Sequence, residues 1–210
     1  MSNNFRREGD ELVQYDNGVE YSRFDLRTKE CKHWYARTIC MIVIEKVRHL
    51  KEMTRDLTKN INILVLGVAL GGIIIHLLNK LDNITITGVD ISDENYNIVE
   101  ENSDNNRLDL IKYDAEKYIK ETDMKFDIII CDIFNGSRVP DFVLGDDFIF
   151  NCKRILNENG CFIINTINVD KNLLKEKYNR IFETDDIFFE YQYGHFIISS
   201  NLITEVSLTK

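Results

Sequence analysis

Hydrophobic residues recur along this chain with two periods, and the order in which those periods alternate predicts an architecture. Over residues 11–26 apolar and polar positions alternate around Asp16-Asn17-Gly18. An Asn-Gly pair tolerates the positive φ angles of a tight turn, so a β-hairpin is expected there. From residue 32 to about 53, Trp34, Ile39, Ile42, Val43, Ile44, Val47 and Leu50 return at mixed three- and four-residue spacing, which marks an amphipathic helix with a broad apolar face. Residues 61–66 then form a continuous apolar run closed by Gly67. Gly71-Gly72 opens a helical stretch over 73–81, and 84–89 is a second apolar run stopped by Asp90.

This strand, turn, helix, strand rhythm continues with a helix over 92–101, a strand over 108–112, a helix over 115–120 and a strongly apolar strand over 126–131. After a loop over 132–144 come a helix through residue 156, a strand over 161–165 and a helix over 171–181. Runs apolar on both faces, alternating with amphipathic helices, imply a mostly parallel sheet covered on both sides. The ending breaks the rhythm, because 187–193 and 195–199 are separated by Gly194 alone, and only antiparallel strands can be joined so briefly. The expected fold is α/β: a doubly wound, Rossmann-like, mostly parallel seven-stranded sheet ending in an antiparallel hairpin. Residues 1–30 are expected to form a small N-terminal β-hairpin extension, and residues 31–210 the main domain.

Composition narrows the function classes. A chain of 210 residues that is 44% hydrophobic can bury one large core without disulfides or metal. The formal net charge is −9, with Lys and Arg scattered, so the basic field that a phosphate backbone demands is missing and nucleic acid is not an expected partner. Five cysteines, Cys31, Cys40, Cys131, Cys152 and Cys161, sit in apolar stretches and read as reduced, buried thiols. Neither they nor His33, His49, His76 and His195 show a paired ligand spacing, so no metal is expected. The polar residues 1–10 do not resemble a signal peptide, and no apolar run approaches the roughly 20 residues needed to span a bilayer. A cytoplasmic protein without membrane contact is the expectation.

In sheets of this kind ligands bind outside the carboxyl ends of the strands, where strand order reverses. The residues ending the apolar runs are Gly67, Asp90, Asp114 and Asp132. The glycine turn from Gly67 to Gly72 could let a ligand approach without meeting a Cβ atom, or could serve close packing of helix on strand. Asp90 could accept both hydroxyls of a ribose or cap the next helix, a place that Ser92 suits better. Asp114 could accept from an exocyclic adenine amine, with Ala115 leaving room for the ring, or cap a helix. Asp132 could face the centre of the crevice or brace the loop that follows. A dinucleotide pyrophosphate calls for positive charge, whereas acids ringing the pocket suit a ligand with a sulfonium and an ammonium. S-adenosylmethionine or its decarboxylated form meets that demand. No serine occupies a nucleophile elbow, and no lysine follows the glycine loop as a triphosphate site requires.

With these residues in hand, the chain resembles the class I S-adenosylmethionine-dependent methyltransferases, and within them the spermidine synthase (polyamine aminopropyltransferase) family and its short methyltransferase-like relatives. The likeness covers roughly residues 20–165. It is carried by Trp34-Tyr35-Ala36-Arg37, Leu64-Val65-Leu66-Gly67 to Gly72, Val89-Asp90-Ile91-Ser92, Tyr113-Asp114-Ala115, Asp132-Ile133-Phe134-Asn135-Gly136 with Val139-Pro140, and residues 156–165. The resemblance implies that Gly67, Val68, Ala69 and Gly71 line the methionine portion of the cofactor. Asp90, with Ile91 beside it, would meet the ribose, Asp114 and Ala115 the adenine, and Asp132 the reacting centre. Asn135 stands where the family places a second acid that holds a substrate ammonium, and Leu70 where its glycine loop carries an acid for the aminopropyl amine. Tyr35 would close one side of the pocket or pack into the core.

The expected function is a transferase, most simply a methyltransferase acting on a small molecule or protein. Polyamine aminopropyl transfer, and a binding or assembly module that keeps the fold without catalysis, are the alternatives. A homodimer is expected from the family likeness together with the N-terminal hairpin.

Overall fold

A computed structural model describes residues 5–16, 18–136, 138–183, 187–192 and 195–200. The chain opens with three antiparallel strands, β1 (Phe5–Glu8), β2 (Glu11–Asp16) and β3 (Val19–Asp25). The hairpin of β2 and β3 was expected, although Asn17 at its turn lies outside the described residues. β1 was not expected, because Phe5 is its single apolar residue and the strand is held by charge. The Arg23 guanidinium donates to Glu8, Glu11 and Glu20, one carboxylate from each strand. These bonds are charge-assisted and share one rigid fork, which gives the small sheet its register.

Helix α1 (Trp34–Thr54) follows the predicted stripe, burying Ile39, Ile42, Val43, Val47 and Leu50. The main domain then runs β4 (Ile61–Leu66), α2 (Gly72–Lys80), β5 (Ile84–Asp90), α3 (Tyr96–Glu101), β6 (Leu108–Lys112), α4 (Ala115–Glu121) and β7 (Phe126–Cys131). It closes with α5 (Asp146–Ile155), β8 (Leu156–Ile167), α6 (Lys171–Phe182), β9 (Ile187–Gln192) and β10 (His195–Ser200). The sheet order is β6-β5-β4-β7-β8-β10-β9. Its first five strands are parallel, and β10 lies antiparallel between β8 and β9. This is the doubly wound, seven-stranded sheet with an antiparallel end that the hydrophobic pattern predicts. Tyr193 and Gly194, where the final turn was expected, lie outside the described residues.

Alternation along the central strands builds two cores from one sheet. Ile61, Ile63 and Val65 of β4, with Ile128 and Ile130 of β7, point to the side covered by α1 and α2. Leu64 and Leu66, with Ile129 and Cys131, point to the side covered by α4, α5 and α6. Successive side chains on a strand face opposite ways, so a continuous apolar run is what two covered faces require. All five cysteines are free and buried, as expected. Among the described residues no helix is long and apolar enough to cross a membrane.

Two expectations fail locally. The helix expected from residue 92 begins at Tyr96, and Ser92 caps nothing: its N–H goes to Asp90 Oδ1 at 3.0 Å and its Oγ accepts from the Glu94 N–H at 3.3 Å. Side chains of this type compete with the helix for backbone donors, and here the turn wins. The strand expected from residue 161 begins at Leu156, because Leu156 pairs with Phe126 before the register shifts and Cys161 pairs with Ile128.

Candidate active site

The first three strands of the main sheet run to one side of β4, and β7 and β8 lie on the other. Strand order therefore reverses between β4 and β7, and a crevice opens at their carboxyl ends. The ends are tied together by backbone bonds, with Gly67 N–H donating to Val89 O at 2.9 Å and Asp132 N–H to Leu66 O at 2.8 Å. Gly67 has φ +90°, and a Cβ on it would sit 2.3 Å from the Asp132 carbonyl oxygen. At Gly71, with φ +73°, a Cβ would meet Val99 Cγ2 at 2.5 Å. Close packing thus accounts for both glycines: the space that their missing side chains leave is filled by the chain itself.

Beside this turn lies a cleft of about 410 Å³ lined by Gly67, Ala69, Asp90, Ile91, Asp114, Ala115, Asp132 and Asn135. Its size falls within the range of about 300–1,000 Å³ typical of sites for small molecules and cofactors. Eight positions named from the sequence therefore share one cavity. Val68, Gly71 and Tyr35 do not line it. Val68 contributes its N–H to the site's framework, Gly71 starts α2, and Tyr35 stacks on His33 with ring centroids 5.5 Å apart. Leu70, the place of a family acid, is fully buried in the core and presents nothing to the cleft.

The three acids are held in different ways. Asp90 Oδ2 accepts from the N–H groups of Val68 and Ala69 at 2.7 and 3.3 Å, while Oδ1 accepts from Ser92. This carboxylate shapes the glycine turn and keeps an unused acceptor direction on Oδ1, since an ionised carboxylate has about four lone-pair sites. Asp114 caps α4, accepting from the Lys117 N–H at 3.1 Å, so its capping alternative is real. Asp132 has a different neighbourhood. Asn165 Nδ2 donates to its Oδ1 at 2.8 Å, and burial raises its pKa from 3.8 to about 6, with the Asn165 bond acting against the rise. Desolvation penalises the charged form, and one amide donor compensates only part of that cost.

Asn165, the partner of Asp132, was not among the positions expected from the sequence, and its signal was its place as the polar end of the run 161–165. The far wall of the cleft is Phe134, Pro140 and Phe142. Phe142 is fixed edge-on to Phe148, with centroids 5.3 Å apart. Ile91 is 73% exposed on the opposite lip, so the acidic rim stands between two apolar surfaces. Exposed apolar side chains around a few convergent polar groups are usual in pockets for flat organic ligands. Behind Asp132 a second cavity of about 30 Å³ is bounded by Tyr35, Cys31 and Phe134.

The profile of a family described as a methyltransferase domain matches residues 57–190. The chain belongs to this family. The methyltransferase domain has the class I S-adenosylmethionine-dependent fold in its spermidine synthase-like form. It is 31% identical over 144 residues to a polyamine aminopropyltransferase of Buchnera aphidicola, covering 58% of this chain and 49% of that protein. To a ribosomal protein L11 methyltransferase of Lactobacillus johnsonii it is 32% identical over 119 residues, covering 57% and 35%. The chain spans about half the length of the first of these curated relatives. A probable spermidine synthase from Corynebacterium glutamicum superposes with a TM-score of 0.75 at 19% identity, covering 93% of this chain and 75% of that one. Human methyltransferase-like protein 13, solved in complex with SAH, gives 0.66 at 19% identity, covering 85% and 86%.

Proposed function

We propose that this chain is an S-adenosylmethionine-dependent methyltransferase acting on a small molecule or protein acceptor, with Asp132 as its catalytic residue. The observation that carries the reading is the partly desolvated Asp132 carboxyl, at the switch point of the sheet, on a cleft it shares with Asp90 and Asp114. The residues fit the cofactor: Asp90 Oδ1 keeps an acceptor direction for a ribose hydroxyl, Ala115 leaves space under a base, and Ile91 offers an apolar lip. Gly67 and Ala69 would lie along the methionine portion. Bound S-adenosylmethionine supplies a methyl group activated by a sulfonium.

The chain's own part is positioning, exclusion of water and proton handling. Asn165 holds Oδ1 of Asp132, leaving Oδ2 to take a proton from an acceptor nucleophile. A base with a pKa near 6 is ionised at neutral pH and still retains affinity for a proton, which suits general-base work. Methyl transfer is preferred over aminopropyl transfer because both positions that would hold ammonium groups lack charge. Leu70 is buried and Asn135 is neutral and exposed, and a polycation needs compensating charge.

Calorimetry on the full chain with S-adenosylmethionine and with its decarboxylated form tests the reading. Tighter binding of the carboxylated donor is expected, and absence of binding to both would remove the basis for either transfer. The same reading includes a homodimer, for which light scattering of the full chain should give twice the monomer mass.

A further inference from the structure

Outside the cleft, three side chains able to ligate a metal converge where the N-terminal sheet meets the main domain. Cys31 lies in the link between β3 and α1, Cys40 on α1 and His76 on α2. Cys31 is 9 residues from Cys40 and 45 from His76, so no spacing in the sequence announces them. Their donor atoms all lie within 4.8 Å of one another. The two sulfurs are 3.9 Å apart. Two thiolates, each about 2.3 Å from a tetrahedral zinc ion, are separated by about 3.8 Å, so the sulfur pair already has the edge length of a zinc site.

His76 Nδ1 accepts from the Cys31 backbone N–H at 3.2 Å, so ligation through this nitrogen would exchange that hydrogen bond for a bond to the metal. The nitrogen's distance to each sulfur is at most 4.8 Å, which exceeds the sulfur–nitrogen edge of a tetrahedral zinc site, about 3.6 Å, by no more than about 1.2 Å. Two thiolates would neutralise a dication, which suits the burial of both cysteines. The cavity of about 30 Å³ that Cys31 lines together with Asp132 has room for one water on the Cys31 side of the cluster. We infer that Cys31, Cys40 and His76 form a binding site for a thiophilic divalent cation, zinc foremost, with water completing the coordination. Such an ion would staple β3 and α1 to α2 behind the glycine turn. It revises the expectation, drawn from sequence spacing, that the chain binds no metal.

Cobalt(II) titration of the full chain, stripped of metal and kept reduced, is the decisive experiment. The expected result is one equivalent bound, with a thiolate-to-cobalt charge-transfer band and the intense ligand-field bands of a four-coordinate ion, displaced by zinc. Cys40→Ser and His76→Ala, checked for native circular dichroism, should each weaken zinc binding by more than the 10–100-fold that outer-shell changes typically cost. Zinc should also raise the wild-type thermal midpoint. A folded, reduced wild-type chain without the charge-transfer band overturns the proposal, as does a folded Cys40→Ser that keeps the wild-type band intensity and cobalt affinity. If neither variant folds, the wild-type cobalt spectrum still decides.

Discussion

The two ends of the cleft use the same side-chain type to opposite effect. At the β5 and β6 end, both acids bond the backbone: Asp90 takes three N–H groups of the glycine turn and its flank, and Asp114 takes one as the cap of α4. At the β7 end, Asp132 takes a side-chain amide donor, Asn165, and burial raises its pKa to about 6. A carboxylate bonded to backbone N–H groups organises the chain around it. One that is desolvated keeps its affinity for protons. The difference separates acids that build a site from the acid suited to work in it.

The comparison is broken most directly at Asp132. Asp132→Ala should lower turnover by about 10²–10⁴-fold with donor binding largely kept, read from steady-state rates beside calorimetry. Wild-type activity should climb as pH rises through about 6 and then level off, because the base works ionised. Next in size is Gly67→Ala, whose Cβ would collide with the Asp132 carbonyl. It should cost about 3–5 kcal/mol in urea unfolding, and a loss below 1 kcal/mol would show that the strand ends can part. Asp90→Ala should cost about 1–3 kcal/mol without any ligand, since it strips the acceptors from the Val68 and Ala69 N–H groups. An unchanged unfolding midpoint would mean that Asp90 does not brace the turn.

Asp132→Asn sharpens the same contrast with the sign reversed. A carboxyl whose folded pKa is raised supports the fold fully below its unfolded value near 4, and that support is lost as pH rises through about 6. The amide should therefore stabilise the protein by about 1–2 kcal/mol at pH 8, with the gain vanishing toward pH 4, measured by urea unfolding at the two pH values. Asp114→Ala should show the smallest effect, about 1 kcal/mol from the lost cap on α4.

Much of this protein was legible in one dimension. The central strands were recognisable because a strand covered on both faces must be apolar at nearly every position, as β4 and β7 are apart from Asn62 and Asp127 near their starts. The acids at the strand ends were readable for the same reason, since a polar residue that stops such a run marks the sheet's rim. The N-terminal strand escaped because its energy comes from Arg23 reaching carboxylates on three strands, a pattern without local periodicity. The role of each acid was equally hidden, because a carboxylate's behaviour depends on which donors and how much water the folded chain leaves it.

What the sequence by itself determined was the order of elements and the positions of the rim residues. Both follow from short-range periodicity and from where apolar runs must stop. The tertiary structure alone decided that Gly67 is needed for its contact with Asp132, that Leu70 is core, that Asn165 bonds the Asp132 carboxyl, and that Cys31, Cys40 and His76 meet. Each of those facts depends on distances between residues far apart in the chain, which only the closing of the sheet and the docking of α1 on α2 bring about.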